Sequence, residues 1–112
     1  MAGLACGEPN TIGWDILRNH AAVFASCPDW VAARGMRMLG APLAGDLRVV
    51  SGESGAVGAG FLATVMQDDS YADLRAALGL GPESAVLLVS TEGDTDPDMY
   101  RRIVWDGAFP AE

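Results

Sequence analysis

Lysine is absent from this chain of 112 residues, in which all seven basic residues are arginine. The sequence therefore has no side-chain amine that could form an imine with a carbonyl compound. Histidine occurs once, as His20, so a surface role is expected for it and a hydrolytic triad has no support. The two cysteines, Cys6 and Cys27, lack a CxxC spacing and are too few for a disulfide framework. We expect them to be free buried thiols, and a single Cys6–Cys27 bridge is the alternative.

Positive charge is also scarce, since 15 acidic residues against 7 basic ones give a net charge of −8. Nucleic-acid binding requires clustered cations and is excluded as a function class, and anionic membrane surfaces are disfavoured. No apolar run approaches the roughly 20 residues of a membrane-spanning helix, and residues 1–8 lack the basic region of a signal peptide. The sequence predicts a cytoplasmic protein without a nucleic-acid or membrane partner.

Apolar and small residues are abundant instead. Hydrophobic residues make up 50% of the chain, which also contains 14 glycines. Counted together, these residues exceed the usual share in a soluble domain. We interpret residues 1–112 as a single segment that packs closely inside a larger body. A compositional bias towards alanine is the alternative explanation.

Hydrophobic spacing and helix-end signals predict five helices, near residues 12–25, 28–39, 56–67, 70–78 and 97–105. Residues 47–50 form a short strand candidate. The apolar run at residues 85–89 has the pattern of a strand that is buried on both faces. The expected fold class is α/β, a three-layer arrangement with helices packed on a partial parallel sheet.

Polar loops follow both strand candidates, at residues 51–54 and 90–96. A long helical crossover makes strands of one sheet parallel, so their carboxyl ends share an edge. Open α/β sheets bind ligands at that edge. Two strands cannot form a stable, doubly covered sheet by themselves, and we therefore expect the missing strands to lie upstream.

Two residues of these loops are candidates for a binding site. Ser90 directly follows the apolar run, where its hydroxyl could be held rigidly and could donate to, or accept from, an aromatic nitrogen. A serine that caps a turn is the alternative. Glu53 lies at a predicted helix N-terminus, where it either lines the ligand cleft or only interacts with the helix dipole.

Four carboxylates alternate through the last loop and invite a calcium hypothesis. A calcium-binding EF-hand loop starting at Asp94 would place Met99 at the required glycine and Trp105 at the bidentate glutamate. This spacing fails, and we predict no metal site, although magnesium on one or two carboxylates remains an alternative. The acidic residues are expected to be solvated groups near a helix start: Glu92, Asp94, Asp96 and Asp98.

Several stretches together are similar to the C-terminal part of diaminopropionate ammonia-lyases, which are pyridoxal-phosphate enzymes of the fold-type II, tryptophan synthase β-like group. The matching stretches are Met-Ala-Gly-Leu-Ala-Cys-Gly-Glu-Pro at 1–9, Ser-Cys-Pro-Asp-Trp-Val at 26–31, Arg-Val-Val-Ser-Gly-Glu-Ser-Gly-Ala-Val at 48–57, Ser-Thr-Glu-Gly-Asp-Thr-Asp-Pro at 90–97 and Tyr-Arg-Arg-Ile-Val-Trp at 100–105. The resemblance covers essentially the whole chain.

The resemblance implies that the chain contributes the pyridine-ring side of a pyridoxal 5'-phosphate site. Ser90 would bind the ring nitrogen, Glu53 would border the ring, and Thr91 would assist nearby. The family converts 2,3-diaminopropionate to pyruvate and ammonia, and its full-length members are expected to be homodimers. The Schiff-base lysine, the phosphate cradle and the acidic bases are expected in an upstream part, so the chain alone should be an inactive C-terminal fragment with no catalytic residue of its own.

Two other interpretations remain. The chain could be part of a different fold-type II enzyme, such as a threonine or serine dehydratase. It could also be a non-catalytic acidic interaction module that folds independently. The fragment hypothesis predicts a large exposed apolar surface, whereas the module hypothesis predicts none.

Overall fold

The computed structural model describes residues 1–111 and contains five α-helices with two short 3₁₀ helices. The α-helices are α1 (Thr11–His20), α2 (Asp29–Gly40), α3 (Glu53–Gln67), α4 (Ala72–Ala77) and α5 (Pro97–Val104). The 3₁₀ helices are Ala2–Leu4 and Asp69–Tyr71. All five predicted helices are therefore present, and their ends differ from the prediction by at most five residues.

The centre of the structure is the contact between α2 and α3. Glycines make this contact close: a Cβ added to Gly35 would overlap the Ala56 carbonyl oxygen, and one added to Gly60 would overlap that of Val31. Helix α5 completes the core, because Tyr100 and Ile103 pack with Ala33, Met36 and Ala56. The core thus combines alanines and Met36 from α2 and α3 with the larger side chains of Tyr100 and Ile103 from α5.

An arginine in the core helices secures the end of the chain. The Arg37 guanidinium donates to the carbonyl oxygens of Ile103 (3.2 Å), Ala108 (3.0 Å) and Phe109 (3.2 Å). A planar guanidinium has enough donors to satisfy several carbonyls at once. Arg37 therefore joins α2 to the turn that follows α5.

Helix α1 differs from the other long helices because no other helix within residues 1–111 packs against it. None of its residues is buried, and it packs against no other helix of this part of the chain. Asn10 caps its start by accepting from Gly13 N at 2.9 Å. It ends at His20, five residues earlier than predicted, since Ala21 adopts an extended backbone (φ −72°, ψ 128°).

The two predicted strands are not paired in the described residues 1–111, where no strand is assigned. Residues 47–50 and 85–89 are instead exposed, with Leu47 at 89% and Leu87 at 88% of their full accessibility. A strand needs a neighbour to satisfy its backbone donors and acceptors. The expected parallel sheet is therefore absent from this part of the molecule and stays a prediction. The helices alone are observed.

Candidate functional site

The two polar loops lie side by side, although 39 residues separate Ser51 from Ser90 in sequence. Gly52 N donates to the Glu92 carbonyl oxygen at 2.9 Å, and the hydroxyl oxygens of Ser51 and Ser90 are 2.8 Å apart. The carboxyl ends of both apolar segments are thus brought together, as their expected position at one edge requires. Ser51 is fully buried, whereas Ser90 is exposed.

A glycine makes room for the two hydroxyl groups. A Cβ added to Gly55, in the first turn of α3, would overlap both serine oxygens and lie 3.1 Å from Ser90 Cβ. The Gly-Glu-Ser-Gly-Ala stretch therefore has a structural reason for its second glycine. Ser51 was not among the predicted site residues, although it follows the other apolar segment as directly as Ser90 follows its own.

Glu53 is the first residue of α3 and is half-buried. Its Oε2 accepts a hydrogen bond from Gly3 N at 3.1 Å, and Ser54 Oγ donates to the Gly3 carbonyl oxygen at 3.1 Å. The start of α3 therefore binds the N-terminal 3₁₀ helix through both side chains. This contact accounts for part of the hydrogen-bonding capacity of the Glu53 carboxylate.

A cavity of about 230 Å³ lies beside this helix start. Its walls combine Met36, Met99 and the Tyr100 ring with four acidic residues, Glu53, Glu92, Asp94 and Asp96. Glu92 Oε2 is buried there and has no hydrogen-bond partner among the described residues. The cavity therefore favours a cationic or neutral polar group over an anion.

The remaining candidate residues separate into different roles. Ser90 and Thr91 are both exposed, and neither of them lines the cavity, whereas Glu53 does. Asp96 caps α5 by accepting from Met99 N at 3.0 Å, and Glu92 Oε1 accepts from Thr95 Oγ1 at 3.2 Å. Part of the acidic loop is thus occupied with helix capping and loop contacts. Within residues 1–111, no three histidine, cysteine, aspartate or glutamate side chains are arranged so that they could hold a metal ion.

The two cysteines and the lengths of the helices bear on two further predictions from the sequence. Cys6 and Cys27 are both free, and burial together with the nearby Asp29 carboxylate raises the pKa of the Cys27 thiol. Cys6 is exposed and Cys27 half-buried, so the expectation of buried thiols was wrong for Cys6. None of the helices within residues 1–111 has the length and apolarity to cross a bilayer.

Known proteins share much of this sequence and of this geometry. No family model matches the chain. It is 57% identical over 107 residues to diaminopropionate ammonia-lyase of Escherichia coli (strain K12) and 53% identical over 108 residues to that of Salmonella typhimurium (strain LT2). Each alignment covers 96% of the chain and 27% of the relative. The chain is homologous to a segment of diaminopropionate ammonia-lyase.

Solved structures agree with the sequence comparison. The Escherichia coli diaminopropionate ammonia lyase in complex with D-serine matches with a TM-score of 0.90 at 55% identity, over 98% of this chain and 28% of that one. The same enzyme in complex with an aminoacrylate-PLP azomethine reaction intermediate also gives 0.90 at 55% identity, with 98% and 29% covered. The chain thus spans little more than a quarter of the lyases it matches, and its helices are arranged as in them.

Proposed function

We propose that this chain forms the pyridine-ring side of the pyridoxal 5'-phosphate site of a diaminopropionate ammonia-lyase, which converts 2,3-diaminopropionate to pyruvate and ammonia. Ser90 binds the ring nitrogen, Glu53 borders the ring, and Thr91 lies nearby. The observation that carries the proposal is the Ser51–Ser90 pair at 2.8 Å, which holds an exposed hydroxyl in a fixed position at the end of an apolar segment. The homology to a lyase solved with this cofactor supports it.

The chemistry of the described residues fits one part of the cofactor only. A serine hydroxyl suits a heteroaromatic nitrogen, since it can donate or accept. Met36 and Met99 offer apolar contacts in the cavity, whose lining includes Glu53 and not Ser90. The four carboxylates of the cavity do not suit a phosphate dianion. The chain also has no lysine for the covalent bond. The phosphate cradle and the lysine therefore belong to a segment outside these 112 residues.

In this role, the chain positions and orients the cofactor ring and transfers no proton itself. When bound, the cofactor supplies the electron sink that makes loss of a substrate's α-proton feasible. A hydroxyl at the ring nitrogen tolerates either protonation state, whereas a carboxylate would hold the ring protonated. The acidic cavity would attract the amino groups of a diamino acid and disfavour anionic ligands.

The exposed apolar segments support the assembly that this proposal requires. Residues 47–50 and 85–89 become strands of a parallel sheet when strands outside these 112 residues lie beside them. The exposed side chains of Leu47, Leu87 and Val89 are then buried. On this proposal, the chain is the C-terminal portion of a single enzyme domain. The family resemblance adds a homodimer, and a cytoplasmic location completes the proposal. The exposed apolar surface counts against an independent interaction module.

A chimera tests the proposal. The matching quarter of the Escherichia coli enzyme is replaced by residues 1–112, and cofactor binding is measured by absorption and turnover of diaminopropionate by pyruvate release. We expect the chimera to bind the cofactor and to be active. Ser90→Ala should then weaken cofactor binding by about two- to tenfold, the worth of one hydrogen bond, whereas Ser26→Ala, an exposed serine in a distant loop, should not.

Two results would contradict the proposal. A folded chimera that does not bind the cofactor would show that these residues do not build its site. A chimera in which Ser90→Ala binds the cofactor as tightly as Ser26→Ala would remove Ser90 from the ring nitrogen. A dehydratase of the same fold group would instead show itself by turnover of threonine or serine in preference to diaminopropionate.

The isolated chain provides an independent test of the missing lysine. Borohydride reduction in the presence of pyridoxal phosphate, followed by peptide mapping, should find no adduct on any side-chain amine. Turnover of diaminopropionate by the purified chain without an added partner would contradict the proposal that the covalent attachment site lies elsewhere.

A further inference from the structure

Ser51 carries a buried hydroxyl that contacts Ser90, the residue proposed to bind the ring nitrogen of the cofactor. Its residue is 0% exposed, so no ligand can reach it in this arrangement. Its oxygen lies 2.8 Å from Ser90 Oγ and 3.2 Å from the Gly52 carbonyl oxygen, to which it can donate. Of its two hydrogen-bond partners, Ser90 is the one whose exposed side chain could pass an effect of Ser51 on to a bound ligand.

We infer that Ser51 is a positioning residue that donates its hydrogen to Ser90 and so leaves the Ser90 hydrogen free for the ring nitrogen of the bound cofactor. The inference rests on the proposed function of Ser90 and adds to it the residue that sets the direction of its hydroxyl. Each serine has one hydrogen and can accept two hydrogen bonds. The direction of the Ser51–Ser90 bond therefore decides what Ser90 can offer to a ligand.

Two arrangements of the hydrogens satisfy the observed distances. In one, Ser51 donates to the Gly52 carbonyl oxygen and Ser90 donates to Ser51, so Ser90 can only accept from a ligand. In the other, Ser51 donates to Ser90, and the Ser90 hydrogen points outward. The 3.2 Å separation from the Gly52 carbonyl oxygen is long for a hydroxyl donor, whereas 2.8 Å is the usual distance. The second arrangement is therefore favoured once an acceptor lies beside Ser90.

The surrounding backbone keeps the pair in place. A Cβ on Gly55 would overlap both hydroxyl oxygens, so the pair occupies space that only a glycine leaves open. Gly52 N donates to the Glu92 carbonyl oxygen and fixes the Ser90 loop against the Ser51 loop at 2.9 Å. The pair is thus held by a backbone hydrogen bond on one side and by the start of α3 on the other.

A double-mutant cycle in the chimera tests whether Ser51 acts through Ser90. The probes are pyridoxal 5'-phosphate itself, measured as its dissociation constant, and the pH titration of its visible absorption band. We expect Ser51→Ala and Ser90→Ala each to weaken cofactor binding by about two- to tenfold and to move the titration in the same direction. The double variant should match Ser90→Ala alone, because the two residues act in series.

Matched variants separate positioning from general stability. Ser54→Ala makes the same chemical change in the first turn of α3, shortly after Ser51. The Ser54 hydroxyl donates to the Gly3 carbonyl oxygen and not to Ser90, so cofactor binding should stay unchanged. Ser51→Cys keeps the shape with a weaker donor and should give an intermediate dissociation constant. If Ser51→Ala does not fold, the same cycle is run with Ser51→Cys and Ser90→Ala.

The outcomes distinguish this inference from the proposed function. If Ser90→Ala has no effect on cofactor binding, the proposed role of Ser90 itself is wrong. If Ser90→Ala weakens binding while Ser51→Ala leaves both the dissociation constant and the titration unchanged, only the role of Ser51 is overturned. Additive losses in the double variant would show that Ser51 acts independently of Ser90 and would also overturn it.

Discussion

Two glycines of α3, Gly58 and Gly60, should respond in opposite ways when each is replaced by alanine. Gly60 faces α2, where an added Cβ would overlap the Val31 carbonyl oxygen and lie 2.9 Å from Gly35 N. Gly58 faces residues 85–89, where an added Cβ would meet only Leu88 Cδ2, at 3.2 Å. The first obstacle is the backbone, which cannot rotate away, and the second is the end of a flexible side chain.

The magnitudes follow from these distances. Replacing a helical glycine by alanine gains about 1 kcal/mol in helix propensity at either position. At Gly60 the two helices must move apart to reach ordinary contact distance, and such overpacking costs about 1–3 kcal/mol. Because two backbone groups are involved, we place the cost near the upper end. Gly60→Ala should lower the free energy of unfolding by about 1–2 kcal/mol, whereas Gly58→Ala should raise it by up to about 1 kcal/mol.

Denaturant titration of the purified chain, followed by far-ultraviolet circular dichroism, measures both variants against the parent. A difference of about 2–3 kcal/mol between them corresponds to roughly 10 °C or more in the midpoint of thermal unfolding for a chain of this size. Gly35→Ala should resemble Gly60→Ala, since its Cβ would overlap the Ala56 carbonyl oxygen. The reasoning would be refuted if Gly60→Ala proved as stable as Gly58→Ala.

Three further predictions concern the contact of Arg37 with the turn after α5 and two of the groups whose pKa values are shifted, Cys27 and Asp68. Arg37→Lys should release the turn after α5 and lower the free energy of unfolding by about 1–2 kcal/mol, because a single ammonium group cannot bind three carbonyls. Arg102→Lys, on the exposed side of α5, should leave the free energy of unfolding unchanged in the same denaturant titration. Alkylation should be slower at Cys27 than at Cys6, since Cys27 is half-buried and its pKa is raised; equal rates in the two single Cys→Ser variants would contradict this. Hydrogen bonds from the Ser70 side chain and from Ser70 N lower the pKa of the Asp68 carboxyl. The stabilising effect of these bonds is present above the ordinary pKa of the carboxyl and is lost as the pH falls below about 4. Asp68→Asn should therefore flatten the loss of helical signal in an acid titration, and an unchanged profile would remove Asp68 as its cause.

Much of the local structure could be predicted because its causes are local. The start of α5 was predicted at Pro97, where it lies, and Asp96, which was expected only to be a solvated acid near a helix start, caps the helix. The end of α1 could not be predicted in the same way. Residues 21–25 are apolar enough to continue the helical pattern, but none of them is buried in the described structure, where Phe24 packs against the Trp14 ring (centroids 5.8 Å apart). Helix propensity alone is too weak to extend a short helix.

The sequence by itself determined which residues could be helices, which runs were apolar enough to be strands, and that a lysine-dependent bond cannot be made by these 112 residues. These features depend on neighbours in the chain or on composition. Only the tertiary structure decided that Ser51 lies against Ser90, because a hydrogen bond across 39 residues depends on how α3 and the last loop pack. It also decided that residues 47–50 and 85–89 remain unpaired here, since a strand forms a ladder only when a partner lies beside it.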